Sequence, residues 1–259
     1  MTDLPSVDGT RLEADRYLEL LDSDVDALLA AATDLTAAVP GCPGWTVRDL
    51  LSHVVGVYRH KIVAMDTDAA PPPRETGGWG DLADDEDPRE VLRTEYAALR
   101  ERLTARDPAT PTWSWWPPEQ RLGFWIRRMA QETAVHRWDA ESAVHGVDGA
   151  TPVPDDLATD GVDELLGWLT WEWDDEPPQP DADGQTVLVS TADHSWTLAF
   201  APTRVAVTGG GTDASAFVAG APSGLLLHLW GRPGDHGVAT MGDTTALRLM
   251  RERLAAATS

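Results

Sequence analysis

The chain has 259 residues, 42% of them hydrophobic, which is enough to bury one large core or two modest ones and too apolar for a disordered chain. Its 43 acidic residues against 20 basic ones give a formal charge of -23, a field that repels nucleic acid and anionic membrane surfaces, so neither is expected as a partner. One cysteine, Cys42, excludes an internal disulfide, no apolar run approaches the roughly 20 residues that cross a bilayer, and the start MTDLPSVDGT lacks the basic and apolar regions of a signal peptide; a cytoplasmic protein is expected.

The hydrophobic period of the first half is helical. Thr10 and Glu13 have the spacing of a capping box, and Tyr17, Leu21, Val25, Leu28 and Ala32 then recur along a first helix. VPGCPGW breaks it. Thr46 with Asp49 caps a second helix, with Trp45 and Leu50 spaced as a hydrophobic staple, and its inward stripe of Leu50, His53, Val54 and Val57 puts an imidazole among aliphatic side chains. Residues 66–87, rich in Pro, Gly, Asp and Glu, read as a long connection. Pro88 opens a third helix carrying Val91, Leu92, Tyr96, Leu99 and Leu103. A loop with Trp113, Trp115 and Trp116 leads into RRMAQETAVHRWDAESAVH, residues 127–145, where Met129, Glu132, His136, Ala140 and Ala143 share one helical stripe with Trp125 just before them. Four helices with a long middle crossover predict a four-helix bundle over residues 1–150.

Residues 151–259 read as a smaller α+β domain. Leu157, Val162, Leu165, Leu166 and Leu169 mark a helix, followed by the acidic linker WDDEPPQPDADG. The period then becomes two, and 186–190, 195–200, 204–208 and 214–219 read as short strands whose brief connections predict antiparallel pairing. Helices over 223–230 and from an Asp243 cap to Ala257 close the chain. Gly209 to Gly211 is a lone glycine turn and no phosphate-binding motif.

The chemical candidates gain weight only together. A histidine on an apolar helix face is more often a satisfied core residue than a ligand, and E-x-x-x-H arises by chance. Here His53, Glu132 and His136 all face inward in one predicted bundle, and no lysine on the stripe neutralises Glu132. A buried carboxylate needs a partner, and a divalent cation is the simplest. Two imidazoles and one carboxylate leave an open position on zinc or a similar ion, the pattern of a catalytic site.

The run VPGCPGWTVRDLLSHVVGV, then QETAVHRWDAESAV, then SGLLLHLWGR resembles the mycothiol-dependent maleylpyruvate isomerase family over nearly the whole chain. The resemblance implies a DinB-like four-helix bundle followed by a small C-terminal domain, with a divalent metal, usually zinc, on His53, Glu132 and His136. It also implies mycothiol as cofactor. Arg137 and Asp139 match the family motif and are expected beside the ligands, Asp139 as a support for them or as an interhelical partner of an arginine. Trp138 reads as packing. Arg232 is the candidate to pair with a substrate carboxylate, and satisfying the last carbonyls of its own helix explains it equally. Cys42 reads as an inert thiol, since no neighbour in sequence is set to lower its pKa. The tryptophans of the 113–116 loop line an entrance or clamp two domains. His60, His145, His194, His228 and His236 read as surface or incidental.

The resemblance implies an enzyme that uses a low-molecular-weight thiol on a small electrophilic substrate, either as a cis-trans isomerase of the maleylpyruvate type or as an S-transferase. The rival expectation is a non-catalytic, metal-containing protein that binds a small ligand or a partner chain.

Overall fold

Local capping chemistry decides where the helices begin. In the computed structural model, which describes residues 9–73, 82–83, 85–171 and 178–258, α1 (Ala14–Ala31) starts from Glu13 without a side-chain cap. The expected Thr10–Glu13 box does not form, because residues 9–12 cluster with residues 152–258 and do not continue the helix. The second box does form. Asp49 Oδ2 accepts the Thr46 amide at 2.8 Å and Thr46 Oγ1 accepts the Asp49 amide at 3.3 Å, starting α2 (Val47–Thr67). α3 (Pro88–Thr104) has proline at its first position and Asp87 Oδ1 accepting the Arg89 amide at 2.9 Å. α4 runs over Leu122–His145 and stops at Gly146, whose φ of 78° is one that a side chain opposes. The acidic run 174–176 lies outside the described residues, as do parts of the run 81–87 and of the linker before the first strand.

The chain forms two compact units, residues 13–151 and residues 9–12 with 152–258. The second is α+β: α5 (Asp155–Trp168), a five-stranded sheet, α6 (Pro222–Leu229) and α7 (Thr244–Ala257), which starts at Asp243 as its sequence predicts. The strands are β1 (Thr186–Ser190), β2 (Ser195–Ala201), β3 (Arg204–Gly209), β4 (Ala216–Ala219) and β5 (Ala239–Gly242), in the order β3-β2-β1-β4-β5. Val187, Val189, Trp196, Leu198, Val205, Val207 and Val218 alternate onto one buried face. The sheet is mixed and not wholly antiparallel, since β4 pairs with β1 in parallel, Val187 opposite Ala216 and Ser190 opposite Ala219.

The glycine turn is what permits this. After β3 the chain crosses over the outer face of β2 and β1 to reach the far side of β1, so closely that a Cβ on Gly211 would stand 2.2 Å from Thr197 Oγ1; that hydroxyl donates to the Gly210 carbonyl. Only a residue without a side chain fits there.

In the helical unit α1 packs on α4, α2 packs on α3, and α2 also touches α4. Leu21 and Leu28 of α1, Leu50 and Leu51 of α2, Leu92, Leu99 and Leu103 of α3, and Leu122 and Trp125 of α4 are almost wholly withdrawn from water. Two polar contacts set the registers. Tyr58 Oη and Thr133 Oγ1, 2.7 Å apart, tie α2 to α4. Arg137 Nε donates to Asp24 Oδ1 at 3.0 Å and its Nη1 to Glu141 Oε2 at 3.1 Å, tying α1 to α4, with all three side chains buried. Burial raises the Asp24 pKa against the pull of the Arg137 charge, so the pair is held by its geometry in a medium hostile to charge. Replacing Arg137 by Leu leaves two buried carboxylates facing each other, and a loss of about 3–5 kcal/mol in unfolding free energy is expected. Urea denaturation checks it, and a midpoint equal to wild type would show that the clamp contributes nothing to stability.

Candidate metal centre

The site is built from the loop before α2, one face of α2 and the middle of α4. The loop closes on itself. Val39 N donates to Trp45 O at 2.9 Å, Cys42 N to Val39 O at 3.1 Å and Trp45 N to Cys42 O at 3.0 Å, with Gly44 at a φ of 86° making the last turn. This places the Trp45 ring, spaced in sequence as a staple, against the imidazole of His53, 5.0 Å between centroids. From α2 comes His53, and from α4, one turn apart, come Glu132 and His136.

The three predicted ligands meet. His53 Nε2 lies 3.2 Å from Glu132 Oε1, and His136 Nε2 lies 3.3 Å from the same oxygen. The two rings stand edge to face, 4.9 Å between centroids. One ligand atom from each residue lies within 4.8 Å of the others. Ligands on a tetrahedral zinc with bonds of about 2.0–2.1 Å stand about 3.4 Å apart, so the spacing and donor types fit a divalent ion placed where protons now join these atoms. The side chain of His53 is 34% exposed and that of His136 10%, so water reaches the cluster from the His53 side.

The surroundings fix charge and orientation. Burial works against the charged form of Glu132, but hydrogen bonds from His136 and His53 and the charges of His136 and Arg128 hold its carboxyl well below the usual range. Burial likewise opposes the charged form of His136. Hydrogen bonds with Asp139, Cys42 and Glu132 overcome it and raise the imidazole well above its ordinary value. Asp139 Oδ2 sits 3.0 Å from His136 Nδ1, the carboxylate–imidazole arrangement that selects the tautomer presenting Nε2 to an ion. The same oxygen accepts the Cys42 thiol at 3.6 Å. Cys42, Asp139 and His136 also form a trio with ligating atoms within 4.8 Å of one another, joined through the Nδ1–Oδ2 contact of His136 and Asp139.

Other expectations land elsewhere. Arg137 points away from the ligands, toward Asp24 and Glu141. Arg232 belongs to the other unit, where its Nη1 donates to Trp230 O at 3.1 Å, its amide donates to Leu227 O at the end of α6, and its guanidinium lies 5.8 Å from the centre of the Trp230 ring. The loop tryptophans pack on the start of α4, Trp113 against Trp125 at 6.3 Å and Trp115 against Phe124 at 5.2 Å, and Trp125 Nε1 donates to Trp113 O. Glu132 is not left without a cation. Arg128, one turn before it on α4, donates to Oε2 at 2.9 Å, and the i, i+4 spacing of the two residues carries that signal in the sequence. Cys42, read from its sequence neighbours as an inert thiol, has its partner Asp139 on α4, and Lys61, which its sequence context does not single out, meets Trp125 of α4.

The fold and the cluster define an α+β protein of two units whose helical unit brings together two histidines and a glutamate that could hold a metal ion. Residues 18–141 match the family described as Mycothiol maleylpyruvate isomerase N-terminal domain. The helical unit is thus similar to the N-terminal domain that this family model describes. Among solved structures it is similar to that of the mycothiol-dependent maleylpyruvate isomerase, with a TM-score of 0.60 and 16% identity, covering 90% of this chain and 95% of that one. A structure of a histidine-to-alanine mutant of that isomerase is similar to the same extent, with 15% identity and a TM-score of 0.60. At such identities the likeness establishes the shared fold. No curated protein matches the sequence. Among the described residues no helix is long and apolar enough to cross a membrane.

If Asp139 orients His136 for an ion, Asp139→Ala should weaken zinc binding about 10–100-fold without abolishing it. Competition with a chromophoric chelator reads this, and unchanged affinity would reduce Asp139 to a packing residue.

Proposed function

We propose that this protein is a cytoplasmic metalloenzyme that uses mycothiol on a small electrophile, as a cis-trans isomerase of the maleylpyruvate type or as an S-transferase. The observation that carries the reading is the convergence of His53 Nε2, His136 Nε2 and Glu132 Oε1 at ligand spacing, inside a unit similar to the N-terminal domain of the mycothiol maleylpyruvate isomerase family. A divalent cation held by these residues, zinc by the nature of the donors, supplies the positive charge that keeps a thiol ionised at neutral pH.

The chain's own residues do the rest. His53 and His136 offer their Nε2 lone pairs once the protons on them are lost, and Asp139 keeps the remaining His136 proton on Nδ1. Arg128 engages the second oxygen of Glu132 and leaves Oε1 directed at the two imidazoles. Trp45 covers one side of His53 and limits the approach of water. Mycothiol, if held at an ion on His53, Glu132 and His136, would supply a reversible sulfur nucleophile, suited either to cis-trans isomerisation of a double bond conjugated to a carbonyl, which would take up the alkene electron pair on addition and return it on elimination, or to transfer of the sulfur to an electrophile.

A second reading has one observation in its favour. Arg128 and the two imidazoles already neutralise Glu132, so the cluster is stable as a polar network without any ion, as a non-catalytic binding protein would allow.

Purified protein is expected to contain about one divalent metal per chain, and a His53→Ala, His136→Ala double variant to contain none. Equal metal in both would remove these residues as ligands. Adding mycothiol to the cobalt-substituted protein is expected to produce a sulfur-to-metal charge-transfer band. Its absence alongside full metal occupancy would favour the binder.

A further inference from the structure

In the helical unit several arginines of α2 and α3 are matched to carboxylates: Arg59 to Glu95 at 2.8 Å, Arg100 to Asp22 at 2.9 Å and Arg102 to Asp66 at 3.2 Å. The inward Arg128 and Arg137 are matched as well. Lys61 differs. Among the described residues no carboxylate stands within ion-pair distance of it, in a chain with 43 acidic residues to 20 basic ones. Its ammonium has two neighbours that bring no negative charge, His60 Nδ1 at 3.0 Å and the face of Trp125, 5.2 Å from the ring centre. Burial and the Lys61 charge push the His60 pKa down to about 4, so this imidazole stays neutral and accepts the Lys61 proton without competing for an anion. Burial also brings Lys61 itself down to about 8, opposed in part by Glu132 and reinforced by the nearby Arg128 charge.

The position of Lys61 says what the counter-charge is for. His53 and Lys61 lie eight residues apart on the stripe of α2 that meets α4, and eight residues of helix span about 12 Å. His53 meets Glu132 and His136, while Lys61 meets Trp125, so α2 and α4 run in opposite directions with the ligand cluster at one level and the ammonium at another. A small molecule reacting at the cluster and lying along α2 would bring its far end toward Lys61.

Resting on the metal-centre reading above, we propose that Lys61 binds the distal carboxylate of the molecule that reacts at His53, Glu132 and His136, and so selects doubly charged substrates by the distance between their reacting carbon and their anionic end. His60 and Trp125 act as positioning residues that hold the ammonium in place.

The test is titration calorimetry of protein with measured zinc content, using succinate, adipate, suberate and the monoanion hexanoate, with no thiol present. Wild type is expected to bind adipate or suberate about tenfold more tightly than hexanoate or succinate. Lys61→Met should remove that preference and Lys61→Arg should keep most of it, both with wild-type zinc content. If Lys61→Met does not fold, Lys61→Gln decides in its place. A Lys61→Met or Lys61→Gln protein that still prefers the long dicarboxylates overturns the proposal, and so does a wild type with no preference. Because thiol is absent, failure here leaves the cobalt–mycothiol result untouched, and a missing charge-transfer band leaves the calorimetry interpretable.

Discussion

A carboxylate kept charged inside a helical core is the constraint around which the first unit is arranged. Glu132 is largely shielded from water, and shielding alone would push it toward its neutral form. Its two oxygens are therefore divided between two kinds of donor, Arg128 on one and the paired imidazoles of His53 and His136 on the other. That division fixes the rest. Arg128 must sit one turn before the glutamate and His136 one turn after it, so α4 has to stay helical across the whole span. His53 must arrive from another helix at one level, which the Tyr58–Thr133 contact sets. The polar cluster thus specifies the register of α2 on α4, which leucines alone would leave free to slide.

The His53–Glu132–His136 cluster was legible because its spacing is helical and its chemistry is uncommon on an apolar stripe. Glu132 and His136 fall one turn apart, and His53 follows a capping box that forms as its residues predict. What surrounds them was less legible, for two reasons. Arg128 is at the right spacing, yet a search of the apolar stripe for lysine passes over an arginine beside it. Cys42 and Asp139 are 97 residues apart, and nothing local to either announces the contact. Arg137 shows the opposite error: it lies next to His136 in sequence and on the other side of the helix in space, since neighbours on a helix diverge by about 100°.

The second unit shows where periodicity stops being informative. β1 to β3 follow one another as a meander and alternate clearly, so they were readable. β5 has four exposed residues and therefore no alternation to read; its place at the edge rests on backbone pairing with β4. The parallel pairing of β4 with β1 depends on a chain crossing whose sequence signature is three glycines, the same signature as an ordinary turn. Distinguishing the two requires knowing what lies beneath, here Thr197 and Leu188.

The partnership of α1 with α4 has a consequence for how the protein is made. Asp24 and Arg137 are 113 residues apart, and α1 finds its main packing surface only on the last helix of its unit. On a ribosome α2 and α3 can pair as soon as both have emerged, but α1 must wait with its leucines uncovered until α4 follows. Closing so long a loop costs little more at equilibrium than closing a short one, since each doubling of length adds about 0.6 kcal/mol, but contacts so distant in sequence slow folding. The earliest helix synthesised is therefore among the last to be secured, and the nascent chain carries an exposed apolar face through most of the translation of its first unit.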